Sequence, residues 1–319
     1  MRRRTTRRYK VSLVGLGAMG QRHARVLRAL ESHFEVVGAY DPRTAAPTPE
    51  GTVRLGSEAE ALSYAEVIIV ATPIESHGAI VGRGLAAGRH VFVEKPVCAS
   101  AGEARAASAA ARSGARLFVG HSERFNPVVR TLAKLVKDEA VLAIDLRRVG
   151  PSKPCTSGVL VNLGVHDFDL AAYLGGGELT LHGAIGFRAG SAPGPDAAHV
   201  LFSTAGGAAG HIYVDRAAPA KERAIELTTA RWVYRGDLLA HRLVRTARAG
   251  AVRADVPLPL EEPLAAQAAA LAEALDGGAP REIAVGDDGV RALDLAEGAL
   301  AHCVASAVSE NFAIDAGRC

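Results

Sequence analysis

The chain has 319 residues, enough for about two domains, and its 49% hydrophobic and 22% charged residues are typical of a soluble globular protein. Its apolar runs are far shorter than the roughly 20 residues of a membrane span, and no apolar segment of a secretory signal follows the basic start. The four cysteines have neither metal-ligand spacing nor the density of a disulfide framework. They predict reduced thiols in a cytoplasmic protein and no metal site: Cys98, Cys155, Cys303 and Cys319.

The formal net charge of +3 is concentrated at the N-terminus. Six basic residues lie within the first ten, and without them the remainder of the chain has a net charge of −3: Arg2, Arg3, Arg4, Arg7, Arg8 and Lys10. Such a segment is either an arm for nucleic acid or membranes, or a solvated leader. Because Tyr9 is the only aromatic residue beside the arginines and the remainder is acidic, we expect a disordered tail over residues 1–9, with neither nucleic acid nor membrane as a partner.

Five apolar runs separated by helical, alanine-rich segments organise residues 10–120. Their nearly continuous apolar character is typical of strands buried on both faces of a sheet. Strands that alternate with helices indicate βαβ units and a parallel sheet, so we predict an α/β fold with an N-terminal Rossmann-type, doubly wound domain. The predicted strands are 10–14, 34–40, 65–70, 90–93 and 115–119, and the predicted helices include 21–30 and 100–113.

The pattern changes after about residue 120. A helix at 128–136, a strand at 140–148 and a helix at 162–174 are followed by β-rich runs between glycine, proline and alanine turns. These runs, at 199–202, 210–214, 224–227 and 232–234, predict an open, mostly antiparallel sheet. Amphipathic helices at 264–275 and 289–308 close the chain. We therefore expect residues 121–319 to form an α+β domain for substrate binding and oligomerisation, and leave open a return of the last helices to the first domain.

A glycine-rich turn, GLGAMG at residues 15–20, directly follows the first predicted strand and opens a helix. Gly15 permits the tight turn, Gly17 lets a pyrophosphate approach the backbone, and Gly20 lets the helix pack closely on the strand. The helix N-terminus offers N–H groups and a positive dipole end to phosphates. The alternative is a plain strand-to-helix turn, but the order of strand, glycines and helix favours a dinucleotide site.

Asp41 ends the second predicted strand, where a carboxylate would accept hydrogen bonds from an adenosine ribose. A carboxylate repels a 2′-phosphate, which favours NAD over NADP. Arg43, two residues further on, would partly offset that repulsion.

Polar side chains follow two further strands of the predicted parallel sheet. Glu94-Lys95-Pro96 follows the fourth strand and Ala71-Thr72-Pro73 the third. Ligands of doubly wound sheets bind outside the carboxyl ends of the strands, so a lysine there would lie beside a nicotinamide and bond a substrate hydroxyl. A simple strand-to-loop turn is the alternative.

A second polar group lies on the predicted helix at 162–174. Helical spacing places Asn162, His166, Asp169 and Tyr173 on one face. His166 could act as a base whose orientation is fixed by Asp169 or by Asp167, or it could be a core histidine with satisfied hydrogen bonds. The residues alone leave both interpretations open.

These segments together resemble the glucose-fructose oxidoreductase/inositol dehydrogenase (Gfo/Idh/MocA) family of NAD(P)-dependent oxidoreductases. The resemblance covers about the first 175 residues, and the β-rich remainder agrees in pattern more than in motif. It rests on the stretches at 15–20, 71–73 with His77, 87–96, 120–127 (GHSERFNP) and 162–169.

The resemblance implies that Lys95 and His166 are the catalytic residues. Asn162 stands where the family often has aspartate, and an amide cannot take a proton, so the role of base moves to His166. The implied cofactor contacts are Gly15, Gly17, Ala18, Met19, Gly20, Asp41, Arg43, Thr72, Pro73, His77, Glu94 and Lys95. The implied substrate contacts are Lys95, Arg124, Asn126, Asn162 and His166, and a substrate diphosphate would meet Arg148, Lys153 or Arg223 unless these are solvated surface charges.

The stretch at 120–127, the Asn162–His166 pair and the sequence Lys221-Glu222-Arg223 are most similar to family members that oxidise the 3-hydroxyl of a UDP-N-acetylhexosamine. The resemblance thus implies NAD as cofactor, a sugar or nucleotide-sugar substrate and a homodimer or homotetramer. Two alternatives stay open: a dehydrogenase of a free sugar or cyclitol, and a non-catalytic NAD-binding regulatory protein.

Overall fold

The computed structural model describes residues 7–151, 158–188 and 194–307. The chain divides into two compact units. The first comprises the described part of Met1–Phe125 with Glu261–Arg291, and the second the described part of Asn126–Leu260 with Ala292–Cys319. Several residues singled out above lie outside the described ones: Arg2, Arg3, Arg4, Lys153, Cys155 and Cys319.

Helices and strands alternate along the first part of the chain. The strands are β1 (Tyr9–Val14), β2 (Phe34–Tyr40), β3 (Val53–Arg54), β4 (Val67–Val70), β5 (His90–Glu94), β6 (Leu117–Gly120), β7 (Val141–Val149), β8 (Leu179–Arg188), β9 (Ala197–Thr204), β10 (Ala209–Asp215), β11 (Glu222–Thr229), β12 (Trp232–Asp237), β13 (Arg242–Ala247), β14 (Arg253–Asp255), β15 (Ala284–Val285) and β16 (Cys303–Ala307). The helices are α1 (Ala18–Ala29), α2 (Glu58–Tyr64), α3 (His77–Ala86), α4 (Ala101–Ala109), α5 (Pro127–Leu135), α6 (Val165–Gly175), α7 (Pro263–Leu275) and α8 (Gly286–His302).

The first unit contains a seven-stranded sheet in the order β15-β6-β5-β4-β1-β2-β3. Strands β1 to β6 pair in parallel, and β15 joins β6 antiparallel. All four residues of β4 are buried, as expected for a strand covered on both faces. The predicted doubly wound parallel sheet is confirmed, and its parallel strands bring the turns after β1, β2, β4 and β5 to one edge.

The second unit contains a nine-stranded sheet in the order β14-β13-β12-β11-β7-β10-β9-β8-β16. Its pairs are antiparallel except β7 with β10 and β8 with β16, which confirms the predicted mostly antiparallel sheet. Burial alternates along β7: Ile144 and Leu146 are buried, whereas Asp145 and Arg147 are exposed. Helix α6 packs against β7, β8 and β10 and covers one face of the sheet.

Three predictions about the elements are wrong. Tyr9 is a buried residue of β1, and Arg7 forms an ion pair with Glu66, so these two residues are not part of a disordered tail. The final helix ends at His302 rather than residue 308, because the chain continues as β16, which finds backbone partners along β8. The segment at 160–164 is a π-helical turn rather than the start of a regular α-helix.

The described part of the chain has no helix long and apolar enough to cross a membrane. Cys98 and Cys303 are free thiols, and burial raises the pKa of the Cys98 thiol to about 12. Among the described residues, no group of three or more His, Cys, Asp or Glu side chains is placed to hold a metal ion.

Candidate functional site

The glycine turn between β1 and α1 has the geometry that its sequence predicts. Gly15 has a φ of +95°, and a Cβ at this position would lie 2.5 Å from the carbonyl oxygen of Ala71. A Cβ at Gly20 would collide with the carbonyl oxygen of Gly15. A Cβ at Gly17 would meet nothing closer than Nη2 of Arg43, at 3.9 Å. Gly15 and Gly20 are therefore required by the fold itself, whereas Gly17 leaves bare backbone in open space.

Helix α1 begins without a side-chain cap and without an acidic residue in its first turn. Helices α2 and α4 differ, because Ser57 and Ser100 cap them and acidic residues occupy their first turns. An uncapped N-terminus above bare glycine backbone is a suitable place for an anion. The residues present thus fit the pyrophosphate of a dinucleotide, which Ala18 and Met19 of the first turn would help to bind.

Asp41 lies at the end of β2 and its side chain is 4% exposed. Its carboxylate accepts hydrogen bonds from the backbone N–H groups of Leu16 (2.8 Å) and Arg43 (2.9 Å). The Arg43 side chain donates two more, each of 3.0 Å. These bonds from Arg43 and Leu16 hold the pKa of Asp41 well below its usual range. Asp41, which the sequence predicts to bind a ribose, is therefore ionised, and Arg43 lies against it.

Arg54 on β3 fixes the loop that carries Arg43. Its guanidinium donates to the carbonyl oxygens of Asp41 (2.8 Å), Arg43 (2.9 Å) and Ala46 (2.6 Å). The sequence alone does not reveal this role of Arg54, because an arginine at the end of a two-residue strand belongs to no distinctive motif.

Lys95 follows β5 at the edge of the sheet and is half-buried. The side chain of Glu94 points to α1, where its Oε1 lies 2.6 Å from Nε2 of His23. His23 is buried and was not among the predicted site residues. Its place on the inward face of α1 indicates burial but not its partner, which lies 71 positions away in sequence.

His77, a predicted cofactor contact, is 1% exposed at the start of α3. Its Nδ1 lies 2.8 Å from the carbonyl oxygen of Pro96, and its Nε2 lies 2.9 Å from that of Thr72. The hydroxyl of Thr72 accepts a 2.7 Å hydrogen bond from Ser76. His77 thus joins the turn after β4, which includes Pro73, to the turn after β5.

Arg124 and Asn126, predicted substrate contacts, are buried and have structural partners. Arg124 in the first unit donates to Asp288 at 3.3 Å. Asn126 begins the second unit, where its side-chain oxygen caps α5 by accepting from Val128 N–H (3.1 Å) and its amide donates to the carbonyl oxygen of Leu238 (2.9 Å). Both residues also have further interactions, and their predicted substrate role stays a prediction.

In the second unit, a π-helical turn at Leu160–Gly164 precedes α6. Of residues 158–174, only Asn162, Leu163 and His166 are half-exposed, and the others are buried. A π turn adds a residue to the helix and often occurs at functional sites. The helical segment is therefore buried almost all round, and its half-exposed part presents the Asn162 amide, the Leu163 side chain and the His166 imidazole.

Arg148 is buried and its Nε donates to both carboxylate oxygens of Asp167, at 3.1 and 2.9 Å. The prediction of a solvated surface charge at Arg148 is wrong, because the inward face of β7 lies beneath α6. Asp167 and Asp169 are both buried, and which of them orients His166 stays a prediction. Arg223 is half-buried on β11.

Two family models match the chain. Residues 9–121 match an oxidoreductase family described by its NAD-binding Rossmann fold, and residues 143–234 match the GFO/IDH/MocA C-terminal domain. Together these matches cover more than half of the chain. The first match contains the parallel strands β1 to β6, and the second covers strands of the mostly antiparallel sheet.

Two curated relatives are a catabolism protein and an inositol dehydrogenase. The rhizopine catabolism protein MocA of Rhizobium meliloti is 29% identical over 92% of this chain and 94% of its own length. An inositol 2-dehydrogenase of Rhizobium meliloti is 27% identical over 53% of this chain, an alignment that spans 56% of the relative.

Solved structures share the fold along almost the entire chain. The UDP-N-acetylglucosamine 3-dehydrogenase GnnA from Acidithiobacillus ferrooxidans superposes with a TM-score of 0.84 at 23% identity, covering 93% of this chain and 98% of that one. A levoglucosan dehydrogenase in complex with NADH and levoglucosan gives a TM-score of 0.81 at 18% identity over 92% of this chain and 96% of that one. At these identities the likeness establishes the fold.

Proposed function

Since the chain belongs to the Gfo/Idh/MocA family of NAD-binding oxidoreductases, we propose that it oxidises a secondary hydroxyl of a sugar, namely the 3-hydroxyl of a UDP-N-acetylhexosamine. The observation behind this proposal is that Asn162 and His166 are half-exposed on a helical segment that is otherwise almost completely buried. An imidazole is a suitable base near neutral pH, and the amide beside it binds a hydroxyl without competing for its proton.

We assign the proton transfer to His166 and the stabilisation of the reacting oxygen to Lys95. His166 accepts the proton of the sugar hydroxyl, and Asn162 holds a neighbouring hydroxyl. Lys95 donates a hydrogen bond to the same reacting oxygen and stabilises its developing negative charge. The glycine turn and Asp41 would hold NAD, which would supply the hydride acceptor for this oxidation.

The nucleotide-sugar preference has two supports. The stretch at 120–127 and the Asn162–His166 pair resemble the corresponding segments of UDP-N-acetylhexosamine 3-dehydrogenases, and a UDP-N-acetylglucosamine 3-dehydrogenase from Acidithiobacillus ferrooxidans is 27% identical over 56% of this chain. Arg223 and Lys153 stay candidates for a diphosphate contact, whereas Arg148 is withdrawn because its guanidinium is buried against Asp167.

The alternative substrate class is a free sugar or cyclitol, which the likeness to inositol 2-dehydrogenase favours. A substrate panel separates the two proposals. We expect NADH formation with UDP-N-acetylglucosamine or UDP-N-acetylgalactosamine and a ketone at C3 of the product, identified by mass spectrometry after reduction with borodeuteride. Turnover restricted to inositols or free sugars contradicts the nucleotide-sugar proposal. NADH binding without turnover of any member supports a regulatory protein instead.

We also propose that the protein assembles into a homodimer or homotetramer through the face of the nine-stranded sheet that α6 does not cover. Ile185 and Leu201 are 65% and 56% exposed on neighbouring strands of that face, and such apolar side chains favour association. Light scattering during size-exclusion chromatography gives the mass directly. A monomer at all concentrations contradicts the proposal, and a charged residue at Leu201 should shift an oligomer to smaller mass.

A further inference from the structure

We propose that two buried histidines, His23 and His77, are positioning residues that hold Lys95 from both sides. This inference rests on the catalytic role proposed for Lys95. Neither histidine is assigned to contact the reacting atoms, and each acts through the residue on one side of the lysine.

The N-terminal side of Lys95 is fixed through Glu94. The His23 ring lies 2.6 Å from the Glu94 carboxylate and packs with its edge towards the Phe92 ring, at a centroid distance of 5.3 Å. A Cβ at Gly120, on the adjacent strand, would lie 3.1 Å from the Glu94 carboxylate, so this glycine leaves the space in which the carboxylate lies. The His23 and Glu94 side chains are only 6% and 13% exposed. Their hydrogen bond is therefore shielded from water, which strengthens it.

The C-terminal side of Lys95 is fixed through Pro96. The carbonyl oxygen of Pro96 lies 2.8 Å from Nδ1 of His77, while the other ring nitrogen holds the carbonyl oxygen of Thr72 at 2.9 Å. Both ring nitrogens thus lie at hydrogen-bond distance from backbone carbonyl oxygens. His77 thereby ties the turn of Lys95 to the turn after β4, and the ring is shielded completely from solvent.

The two histidines belong to different parts of the cofactor site. His23 is on α1, whose N-terminus lies at the glycine turn, and His77 begins α3 beside the turn of Thr72. Lysine has a long, flexible side chain, so the place of its ammonium group depends on how well its backbone is held. A displacement of about 1 Å at a catalytic group costs on the order of a hundredfold in rate. The two contacts keep Lys95 in register with both turns that approach the cofactor.

The matched variants are His23→Gln and His23→Leu, which differ in whether a donor remains for Glu94. We expect His23→Leu to lower kcat at least about tenfold with NADH affinity near that of the unchanged protein. Its melting temperature should fall, because the buried Glu94 carboxylate loses the hydrogen bond from His23. His23→Gln should keep kcat within about threefold, because its amide still donates to Glu94. Equal kcat values for the two variants, or a wild-type kcat in His23→Leu, overturn the role of His23. In a double-mutant cycle, Glu94→Leu should add little to His23→Leu, and additive effects would contradict the proposal.

Chemical labelling of Lys95 tests this inference without any sugar substrate, so its result does not depend on the proposed substrate. Lys95 is half-buried, so we expect pyridoxal 5′-phosphate and borohydride to label it and NADH to protect it, with exposed Lys134 as internal reference. The variants His23→Leu and His77→Leu should lose that protection while still binding NADH. If NADH protects Lys95 equally in the unchanged protein and both variants, the positioning role is wrong. If NADH does not protect Lys95 in the unchanged protein, the role of Lys95 itself is wrong and the inference falls with it. If His77→Leu fails to fold, the comparison of His23→Gln with His23→Leu still tests the proposal.

Discussion

At the end of β2, the guanidinium of Arg43 lies against the carboxylate of Asp41 and donates one hydrogen bond to each of its oxygens. With the two backbone donors, the carboxylate accepts four hydrogen bonds, which is its full capacity. A ribose hydroxyl that binds Asp41 must therefore replace Arg43. The Arg43 side chain is 69% exposed, so the exchange costs little.

The first prediction concerns this exchange. Arg43→Ala should bind NADH about two- to fivefold more tightly, because an ion pair whose arginine is exposed contributes on the order of 1 kcal/mol and no longer has to be broken. The same change should weaken NADPH binding, since the cation near the 2′-position is lost. Fluorescence titration with the two cofactors measures both effects, and Arg28→Ala, at an exposed arginine of the same unit, is the control. Unchanged affinities for both cofactors would place the ribose elsewhere.

The glycine turn gives a second prediction through a matched pair of alanine variants. Gly17→Ala should keep its melting temperature, because the added methyl meets only the end of the Arg43 side chain, but should lose at least about tenfold in NADH affinity where the pyrophosphate approaches. Gly15→Ala should lose stability by about 1–3 kcal/mol, because of its positive φ and the contact with Ala71. Normal NADH binding by Gly17→Ala would contradict the pyrophosphate site.

Lys95→Met tests the proposed stabilisation of the reacting oxygen. We expect kcat to fall by about a hundredfold or more, because the charge that develops on the sugar oxygen loses its donor. NADH binding, followed by fluorescence, should stay within about threefold. Lys134→Met, at an exposed lysine of α5, is the control. Turnover retained in Lys95→Met removes this residue from the mechanism.

The half-exposed part of the helical segment provides a fourth prediction. His166→Gln should lower kcat by about 10²–10⁴, since an amide cannot accept the proton. Asn162→Ala should chiefly raise KM for the sugar, because its proposed role is to bind a hydroxyl. Leu163→Ala, at the half-exposed neighbour in the same π-helical turn, should change neither constant strongly. Steady-state kinetics of the three variants distinguishes these effects, and equal losses in all three would indicate a structural role.

A fifth prediction concerns stability in the second unit. Arg148→Met removes the guanidinium from the buried Asp167 carboxylate and should lower the free energy of unfolding by about 3–5 kcal/mol. Arg147→Met, one residue away on the exposed face, breaks an ion pair with half-exposed Glu222 and should cost about 1 kcal/mol or less. Urea unfolding measures both. Equal losses would mean that the buried pair does not tie α6 to β7.

Much of the cofactor site could be predicted because its information is local. The glycine turn, the apolar runs of β1, β2, β4 and β5, and the acidic residue ending β2 are contiguous features with a period or a turn chemistry of their own. The partner of Glu94 could not be predicted in this way. His23 and Glu94 are separated by 71 positions, and nothing in either neighbourhood specifies the other.

The sequence by itself determined the two sheets, the glycine turn and the places of Lys95 and His166 along the chain. Tertiary structure decided what each polar side chain faces: Arg148 is paired with Asp167 under α6, and His77 holds two backbone carbonyls. It also decided where the last helix ends, because the residues after His302 form β16, whose backbone pairs with that of β8. The physical reason is the same in each case. Propensity and periodicity act over a few neighbouring residues, whereas a buried charge or an unpaired backbone group is satisfied by segments that only the folded chain brings together.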